Sequence, residues 1–480
     1  MTRIKINFTF NVILSISGLI IPIITFPYIT RAIGPEGYGI VSFVNSFIQY
    51  FIIIATLGIP IYGTREIAKV KDDIQNRSKL FFEIILIHSF LTLIVILIYT
   101  IAIFSIDKCI EHKMFFIWGI CSIATFPFNI QWFFSGMEEF KFITIRSLIL
   151  NIIQIIFLFI LVKNPSDTFI YFLLPIIFGF LTIFVNLKYA KTFLIFKFGN
   201  LNFKKHFWPL FFLFLFNFVV TIYELLDTVI LGFLTDYKSV SYYTAAMRLT
   251  KAPLTIFASL TAVLIPRLSL SHSQNDTFEV KRLIEKSLSF IFLLAIPIVI
   301  GELVLAPEII LVLAGTSFSP AISTFRLLCP LTIVIGISSV FGIQILNPLN
   351  KDRQLLAASI FAATVYLGLS FFIIPIWKNN GAAFTNLIAE SVAALVTFYF
   401  AKKYLDFTIP IRLVLNNLVF SMPFFIFAVI FRYIFNQALL VLMSTVTISI
   451  LYYMSVQLFI LKNEFILEFS DYVKNYFWKK

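Results

Sequence analysis

Charge is what this sequence has least of. Lysine and arginine number 37 and aspartate and glutamate 24, together 13% of 480 residues, where a soluble domain carries about 25%. That is too little polar surface for a globule of this length in water. It excludes a soluble enzyme, a disordered chain and a membrane anchor carrying a large soluble domain. Cysteine is nearly absent: Cys109, Cys121 and Cys329 are odd in number and form no Cys-x-x-Cys pair. The four histidines, His88, His112, His206 and His272, stand in no metal-ligand spacing. These absences argue against a disulfide scaffold and a metal site. A small-residue cleavage site is also missing after the first apolar run, which follows Arg3 and Lys5, so that run reads as a first span and not a removed signal.

What fills the chain is apolar: 60% of it. A bilayer span takes about 20 mostly apolar residues, which leaves room for roughly fourteen spans and little else. Fourteen apolar segments follow one another from residues 8–30 to residues 439–461. The expected fold class is therefore an all-α integral membrane protein with about 14 transmembrane helices.

Lysine and arginine placement sets the orientation, because cytoplasmic loops carry the excess. With the N-terminus inside, the inner segments hold 26 of the 37 basic residues and the outer ones 7. Both termini are expected to be cytoplasmic. The net charge of +13 is then a topology signal rather than a nucleic-acid footprint. The longest loops, 63–80, 188–206 and 267–286, are all on the inner side, and residues 462–480 alternate as an amphipathic helix on the inner leaflet would.

Segments after spans one and seven share a faint pattern: Ile33-Gly34 before a turn and Gly37-Tyr38 after it, then Leu231-Gly232 and Ser241-Tyr242. An even number of spans separates them, as in a parallel repeat. Ionisable residues inside spans cost at least about 2.5–3.5 kcal/mol, so each is a functional candidate. Glu224 and Asp227 lie three apart in span seven, near Thr221 and Thr228. Glu390 lies in span twelve one turn after Asn386, and Glu302 in span nine. On the cationic side stand Arg146 in span five, Arg248 and Lys251 at span eight, and Arg326 at span ten. Structural pairing among these charges is the competing explanation for each. Arg31 and Arg432, at span ends, are expected to snorkel to the headgroups.

The stretch Arg31-Ala32-Ile33-Gly34-Pro35-Glu36-Gly37-Tyr38-Gly39, followed by Leu57-Gly58-Ile59-Pro60 and Thr64-Arg65-Glu66-Ile67-Ala68, resembles the start of the polysaccharide biosynthesis flippase family, which includes the Wzx-type O-antigen flippases within the multidrug/oligosaccharidyl-lipid/polysaccharide exporter superfamily. Gln131-Trp132-Phe133-Phe134-Ser135-Gly136-Met137-Glu138, Asp227-Thr228-Val229-Ile230-Leu231-Gly232, Tyr242-Tyr243-Thr244-Ala245-Ala246 and Asn379-Asn380-Gly381-Ala382-Ala383 continue it in order. Ser241 departs from it, standing where the family usually has glycine before tyrosine. The resemblance implies two six-helix lobes around a central cavity, here 1–206 and 207–405, with two additional helices in 406–461 where many members are described with twelve spans. It implies a transporter and not an enzyme, moving a polyprenyl-diphosphate-linked oligosaccharide, an O-antigen or capsule repeat unit, across the bacterial inner membrane by alternating access.

A diphosphate is held by guanidinium and ammonium groups, so Arg146, Arg248, Lys251 and Arg326 become the expected substrate contacts. Glu224, Asp227 and Glu390 are expected to line the cavity or couple ions, with protons or sodium as the driving ions and no resident cofactor or metal. Membrane lipids and other polysaccharide assembly proteins are the expected partners. Competing readings are a cation-coupled multidrug extruder, a lipid II flippase, and a membrane-embedded glycan polymerase, the last disfavoured by the short outer loops.

Overall fold

The computed structural model describes residues 3–195, 201–274, 276–463 and 465–467, and every regular element among them is helical. Eleven helices among the described residues are long and apolar enough to cross a membrane. The chain is a multi-pass, all-α membrane protein. It divides into two compact units, Met1–Ser241 and Tyr242–Lys480. This division keeps 207–241 with the first unit and 406–461 with the second, whereas the sequence reading draws its boundaries at 206/207 and 405/406. Most of the expected amphipathic helix at 462–480 lies outside the described residues.

The first unit opens with α1 (Arg3–Thr56). A straight helix of that length would run about 80 Å, far more than a hydrocarbon core of about 30 Å. Gly34 resolves this: at φ 67°, ψ −179° it leaves the helical region, and Pro35 starts the next helix without needing an N–H donor. One continuous element thus holds two spans. Gly39, just past the break, has another reason to lack a side chain. A Cβ there would overlap the carbonyl oxygen of Tyr237.

The unit continues with α2 (Ile59–Lys69), α3 (Ile74–Ser105), α4 (Asp107–Glu111), α5 (Lys113–Thr125), α6 (Gln131–Gly136), α7 (Phe140–Leu161), α8 (Thr168–Ala190) and α9 (Lys204–Leu234). Two of the family-like motifs meet here, since α2 packs on α6. Trp132 of α6 stacks on Phe81 with ring centroids 5.9 Å apart, beside the fully buried Phe133 and Phe134. α9 packs along α1. The chain crossing from α8 to α9 is tied to the first turns of α3. Arg77 donates to the Phe193 carbonyl at 3.0 and 2.6 Å, and the Ile195 N–H donates to Ser78 Oγ at 2.9 Å. The fully buried Glu83 accepts from the Asn202 N–H (2.7 Å) and from Lys205 Nζ (2.7 Å). His206 Nε2 lies 2.9 Å from Glu83, and its Nδ1 lies 2.6 Å from the Tyr62 hydroxyl.

The division between the units falls within α10 (Tyr237–Lys251), whose start is capped by Asp236 accepting from the Ser239 N–H at 2.8 Å. The second unit then runs through α11 (Leu254–Ser273), α12 (Thr277–Leu313), α13 (Ala321–Leu328), α14 (Leu331–Ser339), α15 (Asp352–Tyr404), α16 (Ile411–Ser421), α17 (Pro423–Ile434) and α18 (Ala438–Ser455). Its core is α12, against which α11, α13, α14, α16, α17 and α18 all pack. Like α1, α15 is broken, at Lys378 (φ 47°, ψ −124°). Asn379 and Asn380 hold the break against α13: Asn379 Nδ2 donates to Thr324 Oγ1 at 2.7 Å, and Asn380 Oδ1 accepts from Ser323 and Thr324 at 3.1 and 2.8 Å.

Arg432 corrects an expectation. It does not reach for headgroups. Its guanidinium grips Glu308 of α12 through two hydrogen bonds of 2.7 and 2.8 Å, and donates to the Val304 carbonyl at 2.7 Å. Asn417 of α16 and Tyr453 of α18 also donate to α12 carbonyls, those of Phe292 (3.3 Å) and Leu293 (2.8 Å). The last two spans are therefore fastened to the core helix of their unit.

Candidate functional site

The expected site residues fall into three settings. Arg146 sits one and a half turns into α7 and is 7% exposed. One Nη donates to Asn186 Oδ1 of α8, the other to Ser147 Oγ at 3.1 Å, and the guanidinium lies 5.7 Å from the Phe142 ring. Its Nε has no partner, and neither does Asn186 Nδ2. Among the described residues no carboxylate pairs with it. Arg146 lines a groove of about 550 Å³ between α7 and α8, together with Glu139, Lys141, Ile145, Ile149 and Tyr189. Burying an unpaired cation is costly, so this groove is built around a charge that lacks its counterpart. Lys141, Asn186 and Tyr189 were not singled out in the sequence. The one signal there was Asn186, an amide inside an otherwise apolar run.

Asp227 lies near the end of α9 and is buried. Its Oδ1 accepts from the Thr228 N–H at 2.7 Å, and its charge reaches Tyr50 of α1. Glu224 lies on the same helix, but its side chain falls outside the described residues. Asp227 is not among the residues that line the Arg146 groove.

In the second unit Arg248 and Glu390 are half-buried, while Lys251 and Arg326 are exposed. Glu302 of α12, which the sequence marked only as an acidic residue in a span, is 8% exposed and borders a cavity of about 340 Å³ lined by α12, α17 and α18. Cys329, whose Sγ donates to the Phe325 carbonyl at 3.1 Å, stands near its carboxyl, and Glu302 Oε2 is without a hydrogen-bond partner among the described residues. Thr445 and Ser449, whose hydroxyls are also unpartnered, line the same cavity. Among the described residues no cluster of histidine, cysteine, aspartate and glutamate is arranged to hold a metal.

The family model described as "Polysaccharide biosynthesis protein" matches residues 4–272, more than half of the chain. The chain belongs to the polysaccharide biosynthesis protein family. The match takes in α1 with its Gly34 break, the α2–α6 pairing and the Arg146 groove. Within related sequences, a protein of Escherichia coli (strain K12) named "Putative O-antigen transporter" is 25% identical over 80% of this chain and 94% of its own length. A protein of Haloferax volcanii named "Probable flippase AglR" is 25% identical over 36% of this chain and 37% of its own. The fold is shared with the lipid II flippase MurJ in an inward closed conformation, with a TM-score of 0.74 at 18% identity, over 93% of this chain and 97% of that one. A multidrug resistance MATE family transporter of the MOP superfamily, inward-facing, gives 0.60 at 13% identity over 79% and 92%. This family member therefore shares its fold with that flippase and that transporter.

Proposed function

We propose that the protein is a flippase, a transporter and not an enzyme, that moves a polyprenyl-diphosphate-linked oligosaccharide, an O-antigen or capsule repeat unit, from the cytoplasmic to the outer leaflet of the bacterial inner membrane by alternating access. The observation that carries this is the similarity to the Escherichia coli protein, over 80% of this chain and 94% of that one, within the polysaccharide biosynthesis family. In this reading both termini are cytoplasmic, as the 26-to-7 distribution of basic residues supports. Arg146, Arg248, Lys251 and Arg326 are the proposed contacts for the diphosphate, and Glu224, Asp227 and Glu390 the proposed cavity or ion-coupling groups. Arg146 faces a groove confined to the first unit.

The MATE-like fold and the buried acid Glu302 favour one second reading, a cation-coupled multidrug extruder. A depletion strain separates the two. Polyprenyl-linked glycan is labelled on spheroplasts with an impermeant glycan-oxidising reagent. Glycan shielded in the inner leaflet, with surface polysaccharide lost, is the expected result. Normal outer-leaflet labelling together with new drug sensitivity would replace the flippase by the extruder.

A further inference from the structure

The second half of α1 has its polarity reversed for a helix facing lipid. From Ile40 to Tyr50 every buried residue is apolar: Ile40, Val41, Phe43, Val44, Phe47 and Ile48. Every residue that is not buried carries a hydroxyl or an amide: Ser42, Asn45, Ser46, Gln49 and Tyr50. At 3.6 residues per turn, Ser42, Asn45, Ser46, Gln49 and Thr56 fall within a stripe about 100° wide, with Tyr50 at its edge. α3 shows the opposite arrangement, with Glu83, His88 and Thr92 buried and Leu86, Phe90 and Leu93 exposed. That is how a span meets acyl chains. Counted from the break at Gly34 and Pro35, residues 42–49 lie about 10–20 Å along the helix, at the depth of the hydrocarbon core. Neither amide, of Asn45 or of Gln49, has a hydrogen-bond partner among the described residues. An unpartnered amide is costly against lipid, so this face borders water. Gln49 and Thr56 also line a cavity of about 250 Å³, together with Ile52, Ile53, Phe126 and Phe214.

The stripe offers hydroxyls and amides and no ions. Between Glu36 and Arg65 the chain has no charged residue, and Asp227, whose charge reaches Tyr50 at the edge of the stripe, is not a cation. A diphosphate is held by cations, which this face lacks. Sugar hydroxyls donate and accept at once, and serine, asparagine and glutamine side chains answer both roles. We propose that this face of α1 reads the glycan of the cargo, with Ser42, Asn45, Ser46 and Gln49 hydrogen-bonding its hydroxyls as it crosses the middle of the membrane. The proposal rests on the flippase reading and deepens it: the neutral stripe takes the sugar, and cationic residues take the diphosphate. It also makes the stripe a determinant of which glycan passes, because a site built to hydrogen-bond a hydroxyl rejects an analogue that lacks it.

The test uses the full chain purified in mild detergent, with Ser42→Cys or Asn45→Cys as the reporter. Cys109 and Cys329 are buried and stay, and Cys121→Ala removes the partly exposed native thiol. A charged methanethiosulfonate should modify both reporters at least about tenfold faster than Leu93→Cys on the lipid-facing side of α3, because thiol reactivity follows access to water. Lipid-linked oligosaccharide extracted from the depletion strain should slow modification of both reporters, and polyprenyl diphosphate should not. In the Ser42→Cys chain, Asn45→Leu with Gln49→Leu should weaken that protection at least about tenfold through the loss of two hydrogen-bonding groups. Ser42→Cys is a small change on an open face, so this reporter is expected to fold even if the double leucine variant does not. Equal rates at Asn45→Cys and Leu93→Cys would overturn the proposal, because the stripe would then face lipid. Equal protection by polyprenyl diphosphate would overturn it in favour of a diphosphate contact. Modification that lipid-linked oligosaccharide does not slow would overturn it as well, as a wet face that holds no sugar. These rates are read without transport. Failure here beside inner-leaflet accumulation in the depletion strain strikes the glycan contact alone, whereas normal outer-leaflet labelling in that strain strikes the flippase reading itself.

Discussion

Two helices, α3 in the first unit and α12 in the second, begin alike and end up in different surroundings. Each follows another helix after a short connection, residues 70–73 before α3 and 274–276 before α12, where the sequence suggested long basic loops. Each starts at an aspartate cap: Asp73 accepts from the Gln75 and Asn76 N–H groups, and Asp276 from that of Glu279. Their most apolar windows have the same mean hydropathy, 2.6. Yet 28% of that window is buried in α3 and 61% in α12. Phe90, Leu93, Leu97, Ile101 and Phe104 leave α3 facing outward, whereas α12 is wrapped by α16, α17 and α18. Lipid tails are as apolar as leucine, so composition cannot distinguish a lipid-facing helix from a covered one. Polar fasteners make the difference. Asn417, Arg432 and Tyr453 each reach α12 from a covering helix, and Gln457 donates to Asn417 at 2.8 Å.

The comparison can be broken at the covering helices. Ending the chain after Leu405 would strip α12 and leave the Glu308 carboxylate buried without its cation. Loss of monodisperse protein by size exclusion is expected. A stable truncated protein would mean that α11, α13 and α14 hold α12 unaided. A finer cut is the Glu308–Arg432 pair. Removing either partner alone should destabilise by about 2 kcal/mol, a value reduced because Arg432 is partly exposed. Glu308→Gln with Arg432→Gln should cost less than the two single changes added together. Thermal melting in detergent reads this, and strict additivity would show that the pair does not fasten the helices.

The smallest effect lies where the two helices are alike. Asp276→Ala should cost about 1 kcal/mol by loss of the cap. Asp73→Ala should act in the same direction. Hydrogen bonds from Asn76 hold the Asp73 carboxyl below its usual range. The stabilisation by this cap is therefore present above the unfolded value and lost as pH falls through the lowered folded one. Thermal melts of wild type and Asp73→Ala should converge in acid. A difference that stayed constant down to low pH would show that the carboxylate is not what caps α3.

The apolar segments were legible because a bilayer demands long unbroken runs. Gly34 and Asn379-Asn380 were legible as motifs, although not as the devices that break α1 and brace α15. Partners were not. Nothing local tells that Arg432 meets Glu308, 124 positions away, or that Arg146 meets Asn186, 40 positions away. A charge near a span end reads the same whether it snorkels or pairs. Glu302 was visible as an acid, but its setting depends on α17 and α18, which the sequence reading treated as additions.

The buried carboxylate of Glu83 has a mechanical consequence. The chain leaving α8 is fastened to α3 at Phe193 and Ile195, by Arg77 and Ser78, and the approach to α9 is fastened to it at Asn202 and His206, by Glu83. What looks in sequence like a slack leash is held, at Phe193 and Ile195 and again at Asn202 and His206, by one and the same helix. Whatever freedom α9 has begins only after its first turn, so it pivots from a fixed point instead of drifting on a tether.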